Sequence, residues 1–198
     1  MLVLASASPR RSELLKQAGF KFEVHPADIA EDPRPNEDPI AYVTRLAREK
    51  AQAVFARITA DSAGGSDGKL GGLAVLGADT TVTLDNEILG KPEDSGDAAR
   101  MLRRLSGRSH RVVTGVALVT ATAVEVAAEV TAVQFLTLSD EEIDAYVATG
   151  EPMDKAGAYA IQGRAAKWIP RIEGCYFNVM GLPLALVCAL LEGCTCRQ

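Results

Sequence analysis

Twelve residues near the amino end, Leu4-Ala5-Ser6-Ala7-Ser8-Pro9-Arg10-Arg11-Ser12-Glu13-Leu14-Leu15, commit this chain to a strand that turns through small residues into a helix. Met1 to Ala5 is a short apolar run and reads as the strand. Ser8 suits an N-cap, and Pro9 suits the first helical position, where a missing N–H is no loss. Leu14, Leu15 and Ala18 share one apolar face, and Gly19 predicts the stop. Arg10 and Arg11 are the odd residues, because a helix N-terminus carries partial positive charge and disfavours cations. An anion held between free N–H groups and two guanidinium forks resolves that conflict. Two solvated arginines on an ordinary capped helix account for the same residues equally well.

The next constraint is Leu73-Ala74-Val75-Leu76, a near-continuous apolar run that predicts a strand covered on both faces, and hence α/β layering. It leads into Gly77-Ala78-Asp79-Thr80-Thr81. That places Asp79 at the carboxyl end of a central strand, where open α/β sheets bind ligands. Between these two features, Lys21 to Val24 alternates as a strand does. Pro26 to Pro39 is proline-rich and acidic, a loop in which Glu31 is the carboxylate of interest. A helix is predicted from Asp38 to about Ile58, with Arg45, Arg48, Glu49 and Lys50 read first as a charged face. Residues 60–72 are rich in Gly, Ser, Asp and Ala and read as a surface loop without chemistry.

Further along, Val82 to Leu84 and Glu87 to Leu89 flank Asp85-Asn86 as a hairpin. The hairpin ends in Gly90-Lys91-Pro92, a turn that holds Lys91. Ser95 to Leu105 is an amphipathic helix closed by Gly107, and Ser109–Val119 and Ala123–Phe135 are two long β-branched strands. Ser139-Asp140-Glu141-Glu142 opens a helix to about Val147. Lys155 and Gln162 flank small residues that allow a ligand to approach the backbone. Short strands are expected at Arg164–Trp168, Ile172 and Tyr176–Val179. A last apolar helix runs from Pro183 through Leu191, with Cys188 on its core side.

With 198 residues, 47% hydrophobic and 24% charged, one sizeable core and a single domain over 1–198 are expected. A net charge of −5 excludes a global basic field, so no nucleic-acid partner is expected and any phosphate site must be local. No signal-like amino terminus and no uncharged run of 18 apolar residues is present, so a cytoplasmic, membrane-free protein is the default. The cysteines (175, 188, 194, 196) form no CxxC pair and lie far in sequence from the histidines, which argues against structural zinc. Cys194 and Cys196 read as free thiols on a polar tail. His110 has no evident triad partner, and GxxxxGK[ST], GxGxxG and HExxH patterns are absent. What remains is a distributed set of cations, Arg10, Arg11, Lys50, Lys91 and Lys155, with Asp79 and Glu31. Such a set suits a polyphosphate with a divalent metal.

The segments LASASPRRSELL (4–15), RLAREKA (45–51), GADTTV (77–82), GKP (90–92), SGRSHRVVTGVAL (106–118), DKAGAYAIQG (154–163) and GLPL (181–184) occur in an order and spacing that resemble the Maf family of nucleoside triphosphate pyrophosphatases. The SPRR, GADT and AYAIQG forms look like its dTTP- and UTP-directed branch rather than its methylated-guanine branch. The longer Gly/Ser loop near 60–72 is the one departure. The resemblance implies a mixed α/β fold, with a long bent sheet between helices and two lobes around a cleft, usually as a homodimer. It implies hydrolysis between the α and β phosphates with Mg²⁺ or Mn²⁺. By the same resemblance, Asp79 accepts the proton of the attacking water. Ser6, Arg11, Lys50, Lys91 and Lys155 clamp the triphosphate, Lys50 and Lys91 being the cations grouped with Asp79 as catalytic. Glu31 joins Asp79 at the metal, and Arg10, Thr80 and Gln162 choose the base. Two rival readings are a nucleotide-binding regulator of cell division without turnover, and a same-fold enzyme preferring a modified purine.

Overall fold

The computed structural model describes residues 1–62 and 72–195. Strand Leu2–Leu4 (β1) leads into helix Pro9–Gln17 (α1), strand Glu23–Val24 (β2) and the long helix Pro39–Ser62 (α2). Strand Ala74–Leu84 (β3), strand Glu87–Leu89 (β4) and helix Ser95–Leu105 (α3) follow. Strands Ser109–Thr120 (β5) and Val124–Gln134 (β6) precede helix Asp140–Val147 (α4). Three 3₁₀ turns (151–154, 156–158 and 164–168), strand Arg171–Glu173 (β7) and helices Tyr176–Val179 (α5) and Leu184–Thr195 (α6) complete the chain.

The strands form one sheet in the order β2-β1-β3-β5-β6-β7, with β4 folded against β3. β1 runs parallel to β2 and β3, and every other pairing is antiparallel. The β3–β4 turn carries Asp85 and Asn86 at φ of 55° and 66°, the conformation of a type I′ hairpin and one that Asn and Asp tolerate well. At the β1 end the two-residue period of the strands divides the core. Val3, Val75 and Ala117 meet Ala47, Ala51 and Val54 of α2 on one face. Leu4, Leu76 and Val116 meet Leu14 and Leu15 of α1 and Val187 of α6 on the other. At the far end Val82, Leu84 and Val112 pack with α3, Ile143 and Tyr146 of α4, and Trp168. The middle of β3 lies between these packed ends.

The long helix α2 sits directly on the sheet backbone. A Cβ at Gly77 would fall 2.1 Å from the carbonyl oxygen of Ala47, and one at Gly115 would fall 2.4 Å from that of Val43. The two glycines remove the layer of side chains that normally separates a helix from a sheet. Asp38 caps the helix, its Oδ1 accepting from the N–H groups of Ile40 (2.9 Å) and Ala41 (3.2 Å). The capping box at Ser139 and Glu142 is present as expected.

Three expectations change. β3 is continuous from Ala74 to Leu84, so Asp79 sits in mid-strand, paired with Gly115, and not at a strand's end. Residues 164–168 form a 3₁₀ turn and Tyr176–Val179 a helical turn, because β7 pairs with β6 only through Arg171–Glu173 and leaves these apolar runs no strand to join. Cys188 is half-buried rather than in the core. Most of the 60–72 loop, Cys196 and the Cys194 side chain lie outside the described residues.

His110 on β5 is a buried titratable group of the far core. Its Nε2 is 2.8 Å from the Tyr159 hydroxyl, its Nδ1 has no partner, and Phe135 and Tyr159 pack edge-on against the ring. Burial pushes its pKa down to about 4 from 6.5. Unfolding therefore takes up a proton between those values, so stability is retained above pH 6.5 and is lost as pH falls toward 4. The urea midpoint is expected to drop across that window. In His110→Phe the part of that slope due to the imidazole disappears, and an unchanged slope would show that the ring does not titrate there.

Candidate active site

A cleft of about 690 Å³ opens over the middle of β3. All ten candidate residues, from Ser6 at one end of the chain to Gln162 near the other, line it. On its floor, Lys50 Nζ lies 2.7 Å from Asp79 Oδ1 and 2.8 Å from Glu31 Oε1. Asp79 comes from β3 and Lys50 from α2, and the glycine seat under α2 brings the two together. Asp79 is 7% exposed and Lys50 is 8% exposed, whereas the Glu31 side chain is half open to solvent. Burial pushes the Asp79 carboxyl above its ordinary value, Lys50 and Arg11 oppose the shift, and Glu31 adds to it.

The acidic loop reaches this point because α2 holds it. Arg45 donates from Nε and Nη2 to the two oxygens of Glu37 at 2.6 and 2.7 Å, from Nη1 to Glu49 at 3.1 Å, and from Nη2 to the carbonyl of Asp32 at 3.2 Å. The bond from Arg45 holds the Glu37 carboxyl down at about 2. The Tyr42 hydroxyl donates to the carbonyl of Glu31 at 2.9 Å, and burial pushes that phenol up to about 12. Glu31 is thus fixed at its own carbonyl and at the one after it. Arg45 was expected on a solvated face but is 9% exposed. Tyr42 and Glu37 drew no functional reading from the sequence. Their partners lie 8 to 13 residues away across a loop, beyond the reach of helical spacing.

Arg11 departs from expectation. Its Nε donates to the carbonyl of Gly181 (2.8 Å), Nη1 to the carbonyl of Ala78 (2.8 Å) and to Ser6 Oγ (3.2 Å), and Nη2 to Thr80 Oγ1 (2.9 Å). Of its five N–H groups, one is left for a ligand. Burial lowers its pKa, while Asp79 and Glu31 oppose the shift, and it remains a cation. Arg11 ties the Ser6 loop, mid-β3 and the Gly181 turn together before it grips anything. Ser6 Oγ receives both Arg11 and the Ser8 N–H (3.2 Å), which frees its own proton for the cleft. Thr80 Oγ1 also pairs with Thr114 Oγ1 at 2.9 Å, so its polar atom faces this inner network.

Arg10 and Lys91 line the cleft without an ion pair to any described residue. The Lys91 turn is tied to the opposite wall where the N–H of Gly157 donates to the carbonyl of Gly90 at 3.0 Å. Lys155 pairs with its neighbour Asp154, and Gln162 is exposed on the same wall. A buried carboxylate sharing an ammonium with a second carboxylate, under a rim of free cations and a hydroxyl donor, is an arrangement that suits a polyphosphate anion.

The model of the family described as "Maf-like protein" matches residues 1–194, and the chain belongs to that family. It is similar to proteins named dTTP/UTP pyrophosphatase. The one from Koribacter versatilis is 50% identical over 191 residues, 96% of this chain and 93% of that one. The one from Geobacter sulfurreducens is 54% identical over 188 residues, covering 94% and 92%. The one from Chromobacterium violaceum is 50% identical over 190 residues, covering 96% and 92%.

Proposed function

We propose that this protein is a nucleoside triphosphate pyrophosphatase that hydrolyses dTTP and UTP to the monophosphate and pyrophosphate. The observation that carries the reading is the Asp79–Lys50–Glu31 cluster on the floor of a cleft rimmed by the unpaired cations Arg10 and Lys91. The names of relatives about half identical over nearly the whole chain supply the bases. The chain acts as one catalytic unit, because segments from residue 6 to residue 181 meet in this cleft.

Water attacks the α phosphorus, the bond from that phosphorus to the α–β bridging oxygen breaks, and pyrophosphate leaves with its electron pair. Asp79 takes the proton of the attacking water. A carboxyl raised by burial is a better base near neutrality, and Lys50 favours its ionised form. Lys91, Lys155 and Arg10 face the charge that gathers on the leaving group, and Ser6 donates its free proton to a phosphate oxygen. Arg11 holds that donor in place and adds its remaining N–H. Gln162, on the wall opposite, offers both a donor and an acceptor to a base edge.

Asp79 and Glu31 also fit a divalent cation, since each is a hard oxygen donor and Lys50 pairs with only one oxygen of each, Asp79 Oδ1 and Glu31 Oε1. No group of three or more His, Cys, Asp or Glu side chains suited to a metal occurs among the described residues. A Mg²⁺ or Mn²⁺ ion held by Asp79 and Glu31 would therefore complete its shell with phosphate oxygens and water. When bound, it neutralises phosphate charge.

A panel of triphosphates, each assayed with Mg²⁺ and with Mn²⁺, tests the proposal. The expected result is pyrophosphate and monophosphate from dTTP and UTP. Release of orthophosphate and diphosphate, a preference for a modified purine triphosphate, or binding without turnover would each overturn it.

A further inference from the structure

One acidic residue outside the cleft has an unusual set of partners. Glu151 stands at the start of a segment that leaves α4, runs through two 3₁₀ turns and returns at Arg164. Residues 154–156 and 159–162 of that segment line the cleft, yet Glu151 itself does not. Its carboxylate reaches across the neck of the loop. Oε1 and Oε2 accept from the backbone N–H of Arg164 at 3.1 and 3.3 Å. Oε1 also accepts from the Tyr146 hydroxyl at 2.8 Å, and that hydroxyl accepts from the N–H of Ala160 at 3.2 Å. The proton of Tyr146 goes to Glu151 and its lone pair goes to Ala160, so one phenol pins the middle of the loop while one carboxylate closes its ends.

Gly163 completes the arrangement. A Cβ there would lie 1.8 Å from Glu151 Oε1, so the carboxylate occupies the space of the missing side chain. Gln162 is thereby flanked on both sides, by Ala160 bound through Tyr146 and by Gly163 and Arg164 against Glu151. The far end of the same loop is held where Gly157 meets Gly90, beside Lys91.

We propose that Glu151 is a positioning residue that sets the shape of the 152–163 loop, and through it the placement of Gln162 toward the nucleotide. This rests on the cleft being the nucleotide site. A 12-residue loop free at its neck samples more end-to-end arrangements, and closing it moves that ordering cost out of ligand binding.

The test compares wild type, Glu151→Ala, Glu151→Gln and Gly163→Ala. Backbone hydrogen exchange is read at Ala160 and Arg164, and calorimetry is run with α,β-methylene-dTTP, which cannot be cleaved at the α–β bond. In Glu151→Ala, exchange at both amides is expected to rise, affinity for the analogue to fall about tenfold, and KM to rise while saturated kcat holds within about twofold. Glu151→Gln, which can still accept from Tyr146 and Arg164, recovers most of the affinity. Gly163→Ala reproduces the defect with the carboxylate intact. Gln162→Ala weakens binding in wild type and adds nothing in the Glu151→Ala background. Unchanged exchange at Ala160 and Arg164 overturns the proposal, and so does a loss carried by kcat alone. If wild type binds no analogue, the nucleotide reading falls while the exchange data still decide the role of Glu151 in the loop.

Discussion

Asp79→Asn is expected to lower pyrophosphate release from dTTP by about 10² to 10⁴-fold, the range set by loss of a positioned proton acceptor. The argument is geometric before it is electrostatic. Asp79 is nearly the same shape as Asn, lies in the middle of β3 and is locked by the pairing of Asp79 with Gly115. The substitution therefore leaves the strand in place and removes the basic oxygen, and with it one of the two anionic donors proposed for the divalent cation. Lys50 retains Glu31 at 2.8 Å, so its buried ammonium still has an anionic partner. A urea titration should accordingly show a folded variant. Burial raises the pKa of Asp79, and the acid limb of the rate profile in wild type should follow protonation of this carboxyl. Residual activity in the variant should lack that limb. Activity within tenfold of wild type, with the limb intact, would remove Asp79 from the proton-transfer step.

The second large effect is on stability. Gly115→Val should destabilise the fold by about 3 kcal/mol or more, beyond the usual penalty for overpacking, because the obstacle is backbone and not a side chain that can swing away. The new Cβ would sit 2.4 Å from the carbonyl of Val43, 2.5 Å from its carbon and 2.6 Å from the nitrogen of Thr44. The helix must lift, and it carries Lys50, so activity should fall with the urea midpoint. Gly90→Ala is the control. No atom lies within 4 Å of its Cβ position, and stability should change by less than about 0.5 kcal/mol. If Gly115→Val unfolds at the same urea concentration as wild type, α2 is not seated on the backbone of β3 and β5.

How much of this could be read beforehand follows the range of the interactions. The hairpin at Asp85-Asn86, the box at Ser139 and Glu142 and the amphipathic α3 each depend on residues within a turn or two of one another, and all appear where expected. The apolar runs of β1 and β3 announced strands, that of β3 as one covered on both faces. They did not show how far β3 continues, because Gly77 to Thr81 looks like a turn until β5 supplies a partner along its whole length. Short apolar runs near the end looked like strands for the opposite reason, since nothing local revealed that the sheet edge offers them no pairing.

Ser6 and Thr80 follow only from the family resemblance, but the seven cations and carboxylates among the candidates, and Gln162, are written in the chain itself, because phosphate chemistry demands such groups. Their division of labour is not. Whether Arg11 spends its N–H groups on a ligand or on Gly181, Ala78, Ser6 and Thr80 depends on carbonyls up to 170 residues distant. The same holds for Lys50 resting between Asp79 and Glu31, and for Glu151 filling the space beside Gly163. Hydrogen bonds and close approaches act over a few ångströms. Local patterns can fix which groups a strand or helix presents, but only the packed chain brings donor and acceptor within that distance.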